Sequence, residues 1–150
     1  MKYQTSIEID RSREEVVAKF EDPENFKHWQ RGFISMEHIS GDKGMPGAKS
    51  KMKYKMGRRE TEMIETIVHN DLPDQFHATF EANGVYNLQE NYFTEGGSDK
   101  MVWRSVSEFR FSSFTMKVMG WLMPKAFKKQ SYKFMVDFKN FVEKGESVAK

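Results

Sequence analysis

Three amide side chains alternate along a predicted strand at residues 85–94: Asn87, Gln89 and Asn91. Residues two apart point to the same side of a strand, so the amides share one face with Val85 and Phe93. An amide both donates and accepts hydrogen bonds, which suits it to orient a small molecule in a mostly apolar site. The opposite face carries Tyr86, Leu88 and Tyr92, and the sequence leaves open which face points inward.

Side chains that often serve catalysis or metal binding are present, but their spacing predicts no centre. The chain has no cysteine, which excludes thiolate nucleophiles, cysteine metal sites and disulfides. The four histidines show no metal-ligand spacing: His28, His38, His69 and His77. Glu65 and His69 would meet only on a helix, and their segment has the period of a strand. We therefore predict no catalytic residue, no metal and no cofactor.

Arg104 and Glu108 are a further candidate pair, because they share one face of the predicted strand 101–111. A buried pair of this kind could transfer a proton, whereas a solvated pair would only charge the outer surface. The opposite face of the strand carries Trp103 and the other large apolar residues, together with Ser105 and Ser107, which favours the solvated interpretation of the charged pair.

Lysines alternate along the clearest predicted strand, residues 48–56: Lys49, Lys51, Lys53 and Lys55. Gly57 follows, and glycine in the first position is typical of a two-residue type II′ hairpin turn. Such a turn places Lys55 opposite Glu60. Lys53 then faces Glu62, and opposite charges across a strand pair stabilise that register. The glutamates largely neutralise the stripe and the net charge is only +2, so we predict a solvated face and no nucleic-acid partner.

The C-terminal region changes to the period of a helix. One stripe recurs at spacings of three and four: Phe127, Ser131, Phe134, Phe138 and Phe141. Pro124 stands near its start, where proline kinks a helix or separates a first segment at residues 114–123. The apolar stretch 118–123 then has three interpretations: a lid over a pocket, a tip that contacts a membrane transiently, or a buried first turn.

The elements that position these residues follow one another in a simple order. A strand at residues 2–9 precedes two short helices, the first begun by Ser12 with Glu15 as a capping box. Asp22 and Pro23 begin the second. About six more antiparallel strands reach residue 111, and the long helix follows. Such a sheet buries its inner face only against that helix, which predicts one α+β domain at residues 1–150.

Composition bounds the class of protein. Large, adaptable side chains are abundant, with 13 Phe and 11 Met, and they suit either a cavity or an ordinary aromatic core. Residues 1–6 carry no apolar segment with a cleavage site, so we expect no secretory signal. No apolar run approaches the roughly 18 residues of a membrane span, and we expect a cytoplasmic protein that is monomeric or homodimeric.

This order of elements and several local strings resemble the helix-grip superfamily (SRPBCC), which includes START domains, birch-pollen-allergen-like proteins and polyketide cyclases. The strings are residues 22–26 (DPENF) with Trp29, 45–47 (MPG), 84–87 (GVYN), 103–111 (WRSVSEFRF) and 127–130 (FKKQ). The likeness is greatest to small bacterial members described as polyketide cyclase/dehydrase and lipid-transport-like proteins. It implies a curved antiparallel sheet of about seven strands, two short helices after the first strand and a long C-terminal helix over the sheet.

The resemblance further implies a hydrophobic ligand between the sheet and the long helix. The predicted lining residues are Met52, Tyr54, Phe80, Asn87, Gln89, Asn91, Trp103, Phe109, Trp121, Phe127, Ser131 and Phe134. We accordingly expect a binder or carrier of a lipid-like or aromatic small molecule. A cyclase or dehydratase that uses the same cavity, and an interaction module whose core is filled by its own side chains, stay open as alternatives.

Overall fold

Seven antiparallel strands form one sheet, and a 21-residue helix packs against its inner face. The structure, a computed structural model, describes residues 1–149. The strands are β1 (Lys2–Ile9), β2 (Phe33–Ser40), β3 (Lys49–Met56), β4 (Arg59–Asp71), β5 (Gln75–Ala82), β6 (Val85–Glu95) and β7 (Met101–Phe111). The helices are α1 (Arg13–Glu21), α2 (Phe26–Trp29), α3 (Phe114–Leu122) and α4 (Pro124–Lys144).

The strand order across the sheet is β1-β7-β6-β5-β4-β3-β2. The first and second strands therefore occupy opposite edges, and α1 and α2 carry the chain from one edge to the other. From β2 to β7 each strand pairs with the next one along the chain, which makes a continuous antiparallel meander. The predicted α+β arrangement, with two short helices after the first strand and a long C-terminal helix, is confirmed.

Local signals begin the short helices where the sequence predicts. The Ser12 Oγ accepts a hydrogen bond from the Glu15 backbone amide at 3.2 Å and caps α1. Asp22 caps a 3₁₀ turn at Pro23–Asn25, which leads directly into α2. Both aromatic residues of α2 are buried, and this helix contacts α4. The short helices thus close one end of the space between the sheet and α4.

The β3–β4 hairpin has the predicted register. Lys55 pairs with Glu60. Lys53 pairs with Glu62, and its Nζ lies 3.3 Å from the Glu62 carboxylate. Gly57 has a φ of +64°, the left-handed conformation that the first position of a type II′ turn requires. This register places the lysines on the outer face and the residues between them on the inner face.

Pro124 divides the C-terminal helical region in two. α3 ends at Leu122, Met123 leaves the helical conformation with a ψ of +42°, and α4 starts at Pro124. Of the two predicted effects of this proline, separation is the one observed. α4 ends at Lys144, and Gly145 follows it with a φ of +70°, the left-handed conformation of a helix C-cap. Within residues 1–149, none of the helices is sufficiently long and apolar to cross a bilayer.

An aromatic core fills the end of the fold where α1, α2 and the C-terminal half of α4 meet the sheet. The Phe20 ring centroid lies within 5.9 Å of those of four others: Trp29, Phe93, Trp103 and Phe138. The deepest apolar side chains of α4 are Met135, Phe138 and Val142. Phe134 and Phe141 of the predicted stripe are half-buried, because the helix is rotated slightly from the predicted face.

Candidate functional site

The amide face of β6 points inward. Phe93 of β6 lies opposite Trp103 of β7, and both side chains belong to the core beneath α4. Asn87 and Asn91 share that face and are buried, and Gln89 between them is half-buried. The pairing of β6 with β7 thus decides which face of the strand is the inner one.

The three amides belong to two separate groups of hydrogen bonds. The Trp103 indole Nε1–H donates to Asn91 Oδ1 at 3.0 Å, so Asn91 is committed to the aromatic core. Gln89 Nε2 donates to Asn87 Oδ1 at 2.9 Å, and Asn87 Nδ2 donates to the Glu108 carbonyl at 3.1 Å. Within residues 1–149 no donor reaches Gln89 Oε1, which leaves that oxygen free to accept from another molecule.

Ser131 joins α4 to the edge strand β1. The Tyr3 hydroxyl donates to the Phe127 carbonyl at 3.2 Å and lies 2.5 Å from Ser131 Oγ. Burial raises the pKa of the Tyr3 hydroxyl, although its hydrogen bonds to Ser131 and Ser107 act in the opposite direction. Hydroxyl groups therefore help to hold the N-terminal half of α4 over the sheet.

Glu65 places a carboxyl group on the inner face. The residue pairs with Ser50 of β3 and Phe80 of β5, and it is only 8% exposed. Burial raises the pKa of this carboxyl to about 7, because ionisation is unfavourable where water is largely excluded. No protein donor within residues 1–149 forms a hydrogen bond with it. At neutral pH the group is therefore divided between a proton-donating and a proton-accepting form.

Tyr54 lies near the same carboxyl group. Burial raises the pKa of its hydroxyl, and the negative charge of Glu65 raises that pKa further. The hydroxyl donates to Gln30 Oε1 at 2.5 Å, which ties β3 to the residue that follows α2. The Tyr54 hydroxyl thus stays protonated beside a carboxyl group that titrates near neutrality.

Glu65 is the site residue that reasoning from the sequence misses, although its signal is present. The hairpin register that pairs opposite charges on the outer face also pairs Ser50 with Glu65 on the inner face. Alternation along β4 puts Glu65 between Met63 and Ile67, where an apolar residue is expected. A carboxyl group at such a position is the kind of exception that marks a functional site.

The apolar residues predicted to line the site lie at different depths. Met52, Tyr54 and Trp103 are buried in the core. Four further rings are half-buried: Phe80, Phe109, Phe127 and Phe134. The rings of Phe109 and Phe127 have centroids 5.1 Å apart and join β7 to the first turns of α4. These partly accessible rings offer apolar surface that the closed core does not.

Trp121 does not belong to the inner face, which corrects its placement among the lining residues. Its side chain is 80% exposed on α3. The reason lies one residue earlier: a Cβ at Gly120 would be 2.5 Å from the Phe111 ring, so the backbone of α3 touches the sheet there and the next side chain points away. Of the three interpretations of residues 118–123, a buried first turn of the long helix is wrong.

The other polar candidates lie on the outer face. The Arg104 guanidinium lies 4.1 Å from the centre of the Tyr92 ring, and Glu108 accepts a hydrogen bond from Arg110 rather than from Arg104. His77 is buried there, 3.5 Å from the Glu90 carboxylate. Burial lowers the pKa of its imidazole against the opposing effect of Glu90. Residues 1–149 contain no group of three side chains arranged to hold a metal ion.

Comparison with known families decides the relationship of the chain to other proteins. The sequence model of the family described as "Polyketide cyclase / dehydrase and lipid transport" matches residues 1–143. The chain belongs to this family. This match confirms the resemblance to the helix-grip superfamily, and it extends over nearly the whole chain. No curated protein matches its sequence.

Solved structures share the architecture of this family member. A START superfamily protein from Mycobacterium smegmatis has a TM-score of 0.79 at 12% identity, over 95% of this chain and 97% of that one. A conserved protein from Geobacillus kaustophilus has a TM-score of 0.78 at 16% identity, over 97% of both chains. Norcoclaurine synthase from Thalictrum flavum, solved with dopamine and hydroxybenzaldehyde, has a TM-score of 0.69 at 18% identity. The match covers 98% of this chain and 88% of that one. Such low identities establish a shared fold and nothing more.

Proposed function

We propose that the chain binds a hydrophobic or amphipathic small molecule between the inner face of the sheet and the N-terminal half of α4. The observation that carries the proposal is Glu65, which is only 8% exposed on the inner face and whose carboxyl group forms no hydrogen bond with a protein donor within residues 1–149. Desolvation without a hydrogen-bond donor makes the ionised form of this carboxyl group costly, so at neutral pH the position does not serve the stability of the fold. A hydroxyl, amine or amide of a bound molecule supplies the missing partner.

The surroundings of Glu65 support an amphipathic ligand. Phe80 lies beside Glu65 in the sheet, is half-buried, and pairs on its other side with Asn87. Gln89, one position further along that face of β6, offers a second free acceptor oxygen. An apolar ring flanked by two acceptors fits a molecule with an apolar body and a donor group at one end. The lipid transport part of the family description supports the same class of ligand.

Native mass spectrometry of the protein purified at about pH 6, followed by denaturing extraction, tests this proposal. We expect a bound amphipathic molecule that denaturation releases and that Glu65→Leu no longer retains. The matched control is Glu62→Leu, an exposed position on the opposite face of β4, which should retain the molecule. A protein that is empty as purified, and that binds neither naphthol nor lauric acid in titrations followed by tryptophan fluorescence, contradicts the proposal.

Dehydration of a β-hydroxy ketone is a second candidate, and the pKa of Glu65 favours it. A carboxyl group with a pKa of about 7 exchanges protons readily near neutral pH, as a general acid–base group must. Its protonated form would give a proton to the hydroxyl group, which leaves as water. The substrate loses its α-proton to solvent, and the two electrons of that C–H bond form the new carbon–carbon double bond. The family description includes dehydrases.

A model β-hydroxy ketone with a phenyl group on the carbinol carbon tests this second candidate, because its enone product absorbs in the ultraviolet. We expect a rate that falls as pH rises through about 7 and that is lost in Glu65→Gln but kept in Glu62→Gln. Equal rates for the wild type, Glu65→Gln and buffer alone contradict the dehydratase and leave the binding proposal to its own experiment.

A further inference from the structure

The three most exposed large apolar side chains lie together on α3: Phe114 is 82% exposed, Trp121 80% and Leu122 64%. Met123, which follows the helix, is 51% exposed. Trp121 and Leu122 are seven and eight positions after Phe114, so the three side chains occupy one face of the helix. Single exposed apolar residues are normal on any protein, whereas a contiguous group of large ones marks an interaction surface.

Contacts on the opposite side of α3 hold this face outward. Ser113 Oγ accepts a hydrogen bond from the Met116 amide at 3.1 Å and caps the helix. Gly120 is buried, and a Cβ there would lie 2.5 Å from the Phe111 ring of β7. The helix is therefore formed and seated on the sheet through its glycine, and its apolar face is presented to the solvent by this seating.

The chain segment that contains the apolar face carries basic residues and no acidic ones. No Asp or Glu occurs between Glu108 and Asp137, and the basic residues in that interval are Arg110, Lys117, Lys125, Lys128, Lys129 and Lys133. Three of these residues, Lys125, Lys128 and Lys129, lie at the start of α4. Together with residues of β1 they line an open depression of about 450 Å³. Their spacing puts them on one face of the first two turns of that helix.

We propose that α3 and the first two turns of α4 dock on an anionic lipid bilayer. Phe114, Trp121 and Leu122 enter the boundary between the headgroups and the acyl chains, and the lysines of α4 bind the anionic headgroups. This combination of a basic surface with adjacent large apolar side chains is the chemistry of interfacial helices. The proposal does not depend on the ligand proposed for the inner face.

Charge argues against one other occupant of this surface, and the apolar side chains argue against a second. A second copy of the chain, docked through the same face, would bring its own lysines against these lysines with no acidic residue between them. A nucleic acid would satisfy the lysines, and its bases would stack on Trp121, but it would leave Leu122 and Met123 without an apolar environment. An anionic bilayer is the partner that satisfies the charges and the apolar side chains together.

Tryptophan fluorescence tests docking on the unaltered protein. Trp29 and Trp103 are buried and Trp121 is exposed, so a change on binding reports on Trp121. With vesicles of phosphatidylcholine and phosphatidylglycerol we expect a shift of the emission to shorter wavelength and quenching by brominated acyl chains. We expect neither change with phosphatidylcholine alone, because the attraction of the lysines to anionic lipid is absent.

Paired variants separate docking from general effects of charge and hydrophobicity. Lys125→Glu with Lys128→Glu and Lys129→Glu should lower vesicle partitioning by at least about a hundredfold. The control is Lys43→Glu with Lys51→Glu and Lys55→Glu. It changes the net charge by the same amount at positions outside the proposed docking surface. Phe114→Ser with Trp121→Ser should abolish co-sedimentation with vesicles. Its control replaces the exposed apolar residues Met45 and Met56 by Ser and should bind normally.

Three outcomes overturn the proposal. The first is a wild-type protein that neither co-sediments with anionic vesicles nor changes its tryptophan emission. The second is equal loss of binding in the test and control variants, with circular dichroism showing that all of them are folded. The third is a dimer in analytical ultracentrifugation that Phe114→Ser with Trp121→Ser dissociates, in the absence of vesicle binding.

Discussion

The Glu65 carboxyl group couples the stability of the fold to pH. In the unfolded chain its pKa is near the ordinary value of 4.5, and burial raises it to about 7 in the folded protein. Between these values the folded protein holds a proton that the unfolded chain has released. The contribution of this group is therefore complete below about pH 4.5 and is lost as pH rises through about 7. The loss amounts to about 3 kcal/mol.

Replacement of Glu65 by Gln should remove this dependence, since the amide is neutral at every pH. We expect urea unfolding to show that Glu65→Gln is more stable than the wild type at about pH 8, by up to about 3 kcal/mol, and that the difference shrinks towards about pH 5. The control is Glu62→Gln on the exposed outer face, which should follow the wild type. Parallel stability curves for Glu65→Gln and the wild type would show that the carboxyl group is not buried.

Asn91 and Gln89 illustrate how neighbouring amides on one strand acquire different roles. Asn91 accepts the indole hydrogen of Trp103, so its polar group is satisfied inside the core and contributes to stability. Gln89 donates to Asn87, but its own oxygen has no protein donor within residues 1–149. Among the polar residues predicted to line the site, Gln89 therefore has the geometry that best fits contact with a bound molecule. Asn91 has the geometry of a residue that stabilises the core.

At the scale of elements, α4 is fixed by polar contacts as well as by its apolar face. Arg31 lies shortly after α2, and its guanidinium donates two hydrogen bonds to the buried Asp137 carboxylate. Nε donates at 2.9 Å and Nη2 at 3.2 Å. About two turns earlier on the same helix, Ser131 Oγ lies 2.5 Å from the Tyr3 hydroxyl of β1. On the N-terminal side of Asp137 the helix presents the half-buried rings of Phe127 and Phe134 rather than a fully closed core.

The seating of α3 depends on the absence of a side chain at Gly120. In an unconstrained helix, Gly→Ala stabilises by up to about 1 kcal/mol. Here the added methyl group would meet the Phe111 ring, which is held between Phe109 and Phe127. We expect Gly120→Ala to displace α3, at a cost of about 1–3 kcal/mol to its local stability.

Hydrogen exchange measured by mass spectrometry checks this expectation. Amides of residues 114–122 should exchange faster in Gly120→Ala, while those of β7 and the C-terminal half of α4 should be unchanged. Thr115→Ala, an exposed change on the same helix, should not accelerate exchange. Slower exchange of α3 in Gly120→Ala would mean that helix propensity outweighs the contact with Phe111.

At the scale of the whole molecule, the two faces of the sheet serve different purposes. The inner face carries the aromatic core and the candidate site, and the outer face carries charge pairs such as Lys53 with Glu62. Substitutions on the outer face should therefore leave the inner face intact. Lys51→Glu with Lys53→Glu should keep the affinity for a neutral ligand such as naphthol, measured by fluorescence titration. A large loss of affinity would mean that the two faces are not independent.

The sequence by itself determined the order of the elements, the helix caps and the β3–β4 register. These features depend on backbone conformation and on neighbours within a few residues, as at Ser12 and Gly57, so they can be read locally. The tertiary structure decided which face of β6 is buried, that Glu65 is desolvated and that Trp121 is exposed. Each of these depends on how distant segments pack together, because burial and its effect on charge exist only in the assembled fold.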